Sequence, residues 1–172
     1  MMKEWMPIPG TNKDQLIMKA LEEFKQHGYK NTNITELAKK ADMTTGAVYH
    51  HFGSKAKLYE VIRTDIEQRI IDRMEGAASL FSDPERAMEA ALITGLDFAA
   101  KQDLCRLVSE EYPYKKRDRI EAFLEELNTD GGLPLHLILG ACWRSVLSAM
   151  GDGGITLEQG KKLIKWSFQK ES

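Results

Sequence analysis

Residues 42–57, DMTTGAVYHHFGSKAK, decide how this chain is read. No acid follows Asp42 in that stretch, whereas hydroxyls, two histidines, a tyrosine and two lysines crowd it. Thr44 is a good N-cap for a short helix over 45–51, Gly53 ends it, and Ser54 caps the helix that follows. On the short helix Ala47, Val48 and Phe52 are expected to face inward, leaving Thr45, Gly46, Tyr49 and His50 outside. A rim of hydroxyls, imidazoles, a phenol and ammonium groups suits a polyanion better than a small metabolite. The expected partner is DNA.

Working outward, Ile34, Leu37, Ala38 and Ala41 make one apolar side of a helix of about two turns, which Asn33 and Glu36 open in the pattern of a capping box. Before it, Leu16, Ile17, Ala20, Leu21 and Phe24 recur at helical spacing from Asn12 to His27, and Gly28 supplies a left-handed stop. A short helix, a tight turn and a second short helix with a polar outer face follow the helix-turn-helix plan, in which the second helix enters the major groove. The helix at 12–27 completes a three-helix packing. After Ser54, Leu58, Ile62, Ile66, Ile70 and Met74 repeat at spacings of four, predicting a helix long enough, at about 37 Å, to leave one domain and enter the next. Lys55 and Lys57 oppose the dipole of its first turn, a local cost that a phosphate at the helix N-terminus would offset.

The chain has 172 residues, 42% apolar and 29% charged, which fits one or two globular domains with real cores. The net charge of -2 argues against a general nucleic-acid coat protein, but residues 1–63 hold ten basic against seven acidic residues, so the positive end carries the opening stretch. MMKEWMPIPG, with Pro7 and Pro9, reads as a loose arm rather than a signal peptide, and no apolar run reaches the roughly 18 residues a membrane helix needs. A cytoplasmic protein is expected, with Cys105 and Cys142 as buried thiols rather than a disulfide.

The remainder reads as helix bundle. Helical patterns cover 84–101, a segment from Asp103 towards Pro113, and 116–128, where Ile120, Phe123, Leu124 and Leu127 face in. The helix from Pro134 to about Met150 is apolar nearly all round, and a last helix runs from 156 to 170. This terminal hairpin is too apolar for a single core contact, so it is expected to pair with its symmetry mate in a homodimer. The fold class expected is all-α: an arm at 1–11, a helix-turn-helix DNA-binding domain at 12–56, and a helical ligand-binding and dimerisation domain at 57–172.

The run ITELAKKADMTTGAVYHHFGSKAKLYEVI resembles the N-terminal domain of the TetR (tetracycline repressor) family of bacterial transcription regulators, over about residues 12–62. The resemblance implies that Thr45 and Gly46 approach base edges, that Tyr49 and His50 contact backbone or bases, that Thr44 and Lys55 hold phosphates, and that Asn33 and Thr35 anchor flanking phosphates. It implies a homodimer on a palindromic operator, its recognition helices roughly one DNA turn apart, and a small-molecule effector in the C-terminal domain that tilts the long helix and releases DNA. Asp42 departs from the pattern of the family, which usually has Gly in that turn; Asp tolerates the left-handed conformation, but its carboxylate opposes nearby phosphates.

Phe98, Cys105, Tyr112, Tyr114, Phe123 and Trp143 are candidates to line the effector pocket, although aromatics at helical spacing are usually core. Adjacent helix residues point about 100° apart, so His50 and His51 make a poor metal site. His136 reads as an interior or interface histidine. The chain lacks a Gly-rich phosphate loop and GxSxG, so neither enzyme activity nor a cofactor is expected. Besides a ligand-responsive repressor, two readings stay open: a DNA-binding regulator governed by a protein partner, and a helical interaction protein without DNA binding.

Overall fold

The computed structural model describes residues 9–129 and 132–169; most of the expected arm, residues 1–8, lies outside them, as do Lys170 and two residues of the turn before Pro134. Among the described residues the regular structure is entirely helical: α1 Asn12–Asn31, α2 Ile34–Lys40, α3 Thr45–Phe52, α4 Lys55–Ala78, α5 Pro84–Lys101, α6 Cys105–Ser109, α7 Arg119–Leu127, α8 Leu135–Gly151 and α9 Leu157–Ser167. None of these helices is long and apolar enough to cross a membrane. The chain divides into two compact units, Met1–Asp65 and Ile66–Ser172, with the division inside α4. That division lies beyond residue 56, because Leu58, Tyr59 and Ile62 of α4 are core residues of the first unit.

In the first unit α2 packs on α1 and on α3. Leu16, Ala20 and Phe24 of α1 are sealed from solvent, as are Leu37 of α2 and Leu58 of α4, while Val48 is the buried residue of α3. The first helix does not simply end at Gly28. That residue takes φ +72 and ψ 176, a conformation open essentially to glycine alone, and a further helical turn follows to Asn31. Glu23, buried in α1, pairs with Lys40 at the end of α2 and lies 3.8 Å from His27. Burying one carboxylate is tolerable because it meets an ammonium, and that pair ties α1 to α2.

In the second unit α8 packs against α6, α7 and α9, and α5 packs along α9. The apolar stripe Ile66, Ile70 and Met74 of α4 is buried as the spacing predicts. Two parts of this unit are shorter than expected. α6 is only five residues long, because Asp103 takes φ +55 and turns the chain before Leu104. α7 begins at Arg119 rather than 116, since Asp118 is its cap, with Oδ1 accepting from the N–H groups of Ile120 at 2.9 Å and Glu121 at 3.1 Å.

Asp118 also pairs with Arg144 of α8, whose guanidinium donates to the Val108 carbonyl at the end of α6. Three helices meet at this arginine. Burial pushes the Asp118 carboxyl up, but the Arg144 hydrogen bond and charge and the two backbone N–H groups outweigh it, leaving the pKa below its ordinary value. A depressed folded-state pKa gives stabilisation that is complete above the unfolded value of about 3.9 and is lost as pH falls through the folded value. Asp118→Asn keeps a cap but not the charge, and is expected to cost about 1–2 kcal/mol at neutral pH. Urea titrations should show the gap to wild type closing as the pH falls below about 3.9; a gap unchanged in acid would mean that the Arg144 pair contributes nothing.

Candidate nucleic-acid interface

Local hydrogen bonds build the turn between α2 and α3. After the cap residue Ala41, the Asp42 N–H bonds the Lys39 carbonyl at 3.1 Å and the Met43 N–H bonds the Ala38 carbonyl at 2.8 Å. These are the two bonds of a Schellman stop, which needs a left-handed residue. Asp42 supplies it with φ +53. The turn therefore closes without glycine, and the exposed carboxylate stands just before α3.

Both flanking helices are capped from the residues expected. Asn33 Oδ1 accepts from Thr35 N at 2.8 Å and Glu36 N at 3.3 Å, and Thr44 Oγ1 accepts from Ala47 N at 3.1 Å. Ser54 Oγ accepts from Lys57 N at 3.1 Å. Because these side chains bond the first-turn N–H groups of the helices they open, Asn33 and Thr44 are held in fixed orientations at the surface, where the Thr44 hydroxyl hydrogen can still donate outward.

α3 buries Val48 alone, with Ala47 and Phe52 half-buried. Gly46, Tyr49 and His50 are exposed, as is Thr35 on α2, and Thr45 is half-buried. Gly46 is informative for what it does not touch. A methyl built on it would find one neighbour, the Thr44 hydroxyl at 3.9 Å, and its φ is not positive. Neither packing nor backbone geometry within the chain therefore requires glycine there.

Lys55, the first residue of α4, places its ammonium 4.6 Å from the centre of the Tyr29 ring and donates to the Lys30 carbonyl at 3.4 Å. Lys57 pairs instead with Glu60 at 3.1 Å. Lys13 of α1 sits 5.3 Å over the Phe52 ring, adding a cation that the sequence reading did not single out. Its separation of 39 residues from Phe52 left no local signal.

The candidate pocket residues occupy different settings in the second unit. The Trp143 ring is sealed in the core, with its indole N–H donating to the Leu92 carbonyl at 3.0 Å. Cys105 is buried, and burial followed by the Asp103 charge pushes its thiol up to about 11. The Phe98 ring lies under the Arg73 guanidinium at 3.9 Å. The Tyr112 hydroxyl donates to Glu67 at 2.9 Å, and its ring lies 5.8 Å from that of Tyr114. Glu67, fully buried, was missed because it sits beside the apolar stripe rather than on it. Phe123, alone among the candidates, borders an open groove of about 430 Å³ with Phe81, Leu127, Glu75 and Glu126.

Residues 16–62 match the family model described as bacterial regulatory proteins, tetR family. The chain is 27% identical over 137 residues to the probable acrEF/envCD operon repressor of Escherichia coli K12, covering 76% of this chain but only 61% of that protein's length. Among solved structures it is similar to a TetR-like transcriptional regulator from Rhodococcus sp. RHA1, with a TM-score of 0.72 at 18% identity over 95% of this chain and 96% of that one. It is also similar to FadR from Bacillus subtilis in complex with stearoyl-CoA, with a TM-score of 0.64 at 14% identity over 88% and 95% of the two chains. At such identities the structural likeness speaks for the fold, while the match over α1 to α4 speaks for descent. By that match, residues 16–62 are a domain of the tetR family of bacterial regulatory proteins, and the helical architecture that continues beyond it has the fold of the solved TetR-like regulators.

Proposed function

We propose that this chain is a homodimeric transcriptional repressor that binds a palindromic operator through α3 and releases it when a small molecule occupies the second unit. The observation that carries the DNA reading is the outer face of α3, where an exposed glycine unneeded by the fold stands beside Tyr49 and His50 with no acid on the helix. A bare backbone there lets the helix approach the groove floor, the Thr45 methyl can meet a thymine methyl, and the capped Asn33 and Thr44 stand ready for phosphates. Thr35 and Lys55 complete the proposed phosphate contacts. Selecting bound duplexes from a random pool tests this directly: palindromic sequences should be enriched, and binding should fall steeply with salt. No binding at low salt would favour a helical interaction protein instead.

The dimer reading is supported by Leu137 and Ile138 on α8 and Leu163 and Trp166 on α9, which stay 44–71% exposed. Large apolar side chains exposed on two adjacent helices suit a self-complementary contact. Ile138→Glu and Trp166→Glu together are expected to yield a monomer by sedimentation and to abolish cooperative binding to the palindrome. A variant that stayed dimeric would move the interface elsewhere.

For the effector, FadR's bound acyl-CoA shows a ligand in a neighbour of the same fold. By that analogy the second unit of this chain takes a small molecule, and Phe98, Tyr112 and Phe123 remain the side chains proposed to meet it. Compounds that raise the thermal midpoint and dissociate the DNA complex would identify it.

A further inference from the structure

Gly28 turns the chain out of the regular part of α1 and so sets Tyr29 against α4. The Tyr29 ring meets that of Tyr59 edge-on, with centroids 5.1 Å apart at 64°, and Tyr59 meets Phe24 in the same manner at 5.0 Å and 83°. Phe24 and Tyr59 are fully buried, and the Tyr59 hydroxyl accepts from buried Arg63 at 2.8 Å. Tyr29, half-buried, therefore rests on a ladder of rings that cannot shift without opening the core. Its face carries the Lys55 ammonium at 4.6 Å, and the Lys30 carbonyl accepts from the same nitrogen.

Lysine otherwise sweeps a wide volume on four rotatable bonds, and ordering such a side chain on binding costs about 0.5–1.5 kcal/mol, equivalent to a two- to ten-fold loss of affinity. A ring face and a carbonyl both attract the cation and restrict that motion before any DNA arrives. We propose that Tyr29 is a positioning residue for DNA binding, its ring holding the Lys55 ammonium at the start of α4 in readiness for a backbone phosphate. An ammonium has three donors, so bonding a phosphate does not require it to leave the ring. Aromatic face, carbonyl and helix N-terminus then act on one spot, where the dipole also favours the anion. The inference rests on the reading of this rim as the DNA interface.

Phosphate contacts are independent of sequence, so a mixed-sequence DNA duplex at low salt serves as the probe. Lys55→Ala is expected to weaken binding and reduce the salt slope by about one. Tyr29→Leu should weaken binding about two- to ten-fold, Tyr29→Phe less than about twofold, and Tyr29→Leu should add nothing once Lys55 is alanine. Replacing Tyr29 by pentafluorophenylalanine, which keeps the shape of the ring but reverses its quadrupole, should weaken binding relative to Tyr29→Phe even if the leucine variant does not fold. Unchanged or tighter binding by the fluorinated variant, or equal effects of Tyr29→Leu with and without Lys55, would overturn the positioning role while leaving the phosphate contact standing. If Lys55→Ala itself bound and responded to salt like wild type, the phosphate contact would fail first.

Discussion

Gly46→Ala is expected to make the protein more stable and a poorer DNA binder. Glycine inside a helix costs about 0.5–1 kcal/mol relative to alanine, because the unfolded chain has more freedom to lose. That gain is realised only if the new methyl meets no obstacle, and around Gly46 the chain offers only the Thr44 hydroxyl at van der Waals distance. The same methyl would project from the face proposed to approach base edges, where holding the helix back would lengthen every neighbouring contact. A lost base contact is worth about 1–3 kcal/mol, so affinity for a selected operator should fall about ten-fold or more. Thermal unfolding and a binding titration on the same preparation would separate the effects. A variant that gained stability and kept full affinity would remove α3 from the groove floor.

Trp143→Ala is expected to produce the largest loss of stability, about 3–5 kcal/mol. The ring is fully buried, its N–H is committed to the Leu92 carbonyl at 3.0 Å, and a methyl on Gly95 of α5 would stand only 3.2 Å from its Cζ2. Packing that close leaves a large void when the ring is removed, and rigid helices on several sides cannot collapse into it. Urea denaturation followed by circular dichroism should show the midpoint falling sharply or the second unit already unfolded. By contrast, Phe98→Ala removes a half-buried ring that packs against the Arg73 guanidinium and should cost much less. If Trp143→Ala lost under about 1 kcal/mol yet abolished an effector response, Trp143 would be a pocket residue after all.

These expectations differ in how far they could be read along the chain. The α2–α3 turn was legible because every interaction that makes it lies within a few residues: Asn33 to Glu36, Ala38 to Met43, Thr44 to Ala47. Asp42 shows the same point, since its tolerance of positive φ is a property of the residue itself and the chain uses it at φ +53. The apolar stripe of α4 was equally plain, because spacings of four put Leu58 through Met74 on one side.

What lay beside that stripe was not legible. Tyr59, Arg63 and Glu67 are fully buried although two of them are charged, and burial of a charge depends on partners supplied by tertiary contacts. Tyr112 reaches Glu67 across 45 residues, and Arg144 reaches Asp118 across 26. No periodicity announces such pairs. The aromatic residues of the second unit posed the same difficulty: helical spacing says that Trp143 and Phe98 face the bundle, whereas only packing shows that one ring is sealed in the core and the other lies under a guanidinium.

Lys55 belongs to both accounts. Its place in the first turn of α4, against the helix dipole, follows from residues 54–57 and already suggested an anion. That its ammonium rests on Tyr29 is a contact across 26 residues, made possible by the Gly28 turn and the packing of Tyr29 on Tyr59. Caps, turns and apolar periodicity are short-range and were written in the sequence; where a cation rests, which charges are buried and which rings are core are decided by long-range packing, which only the tertiary structure displays.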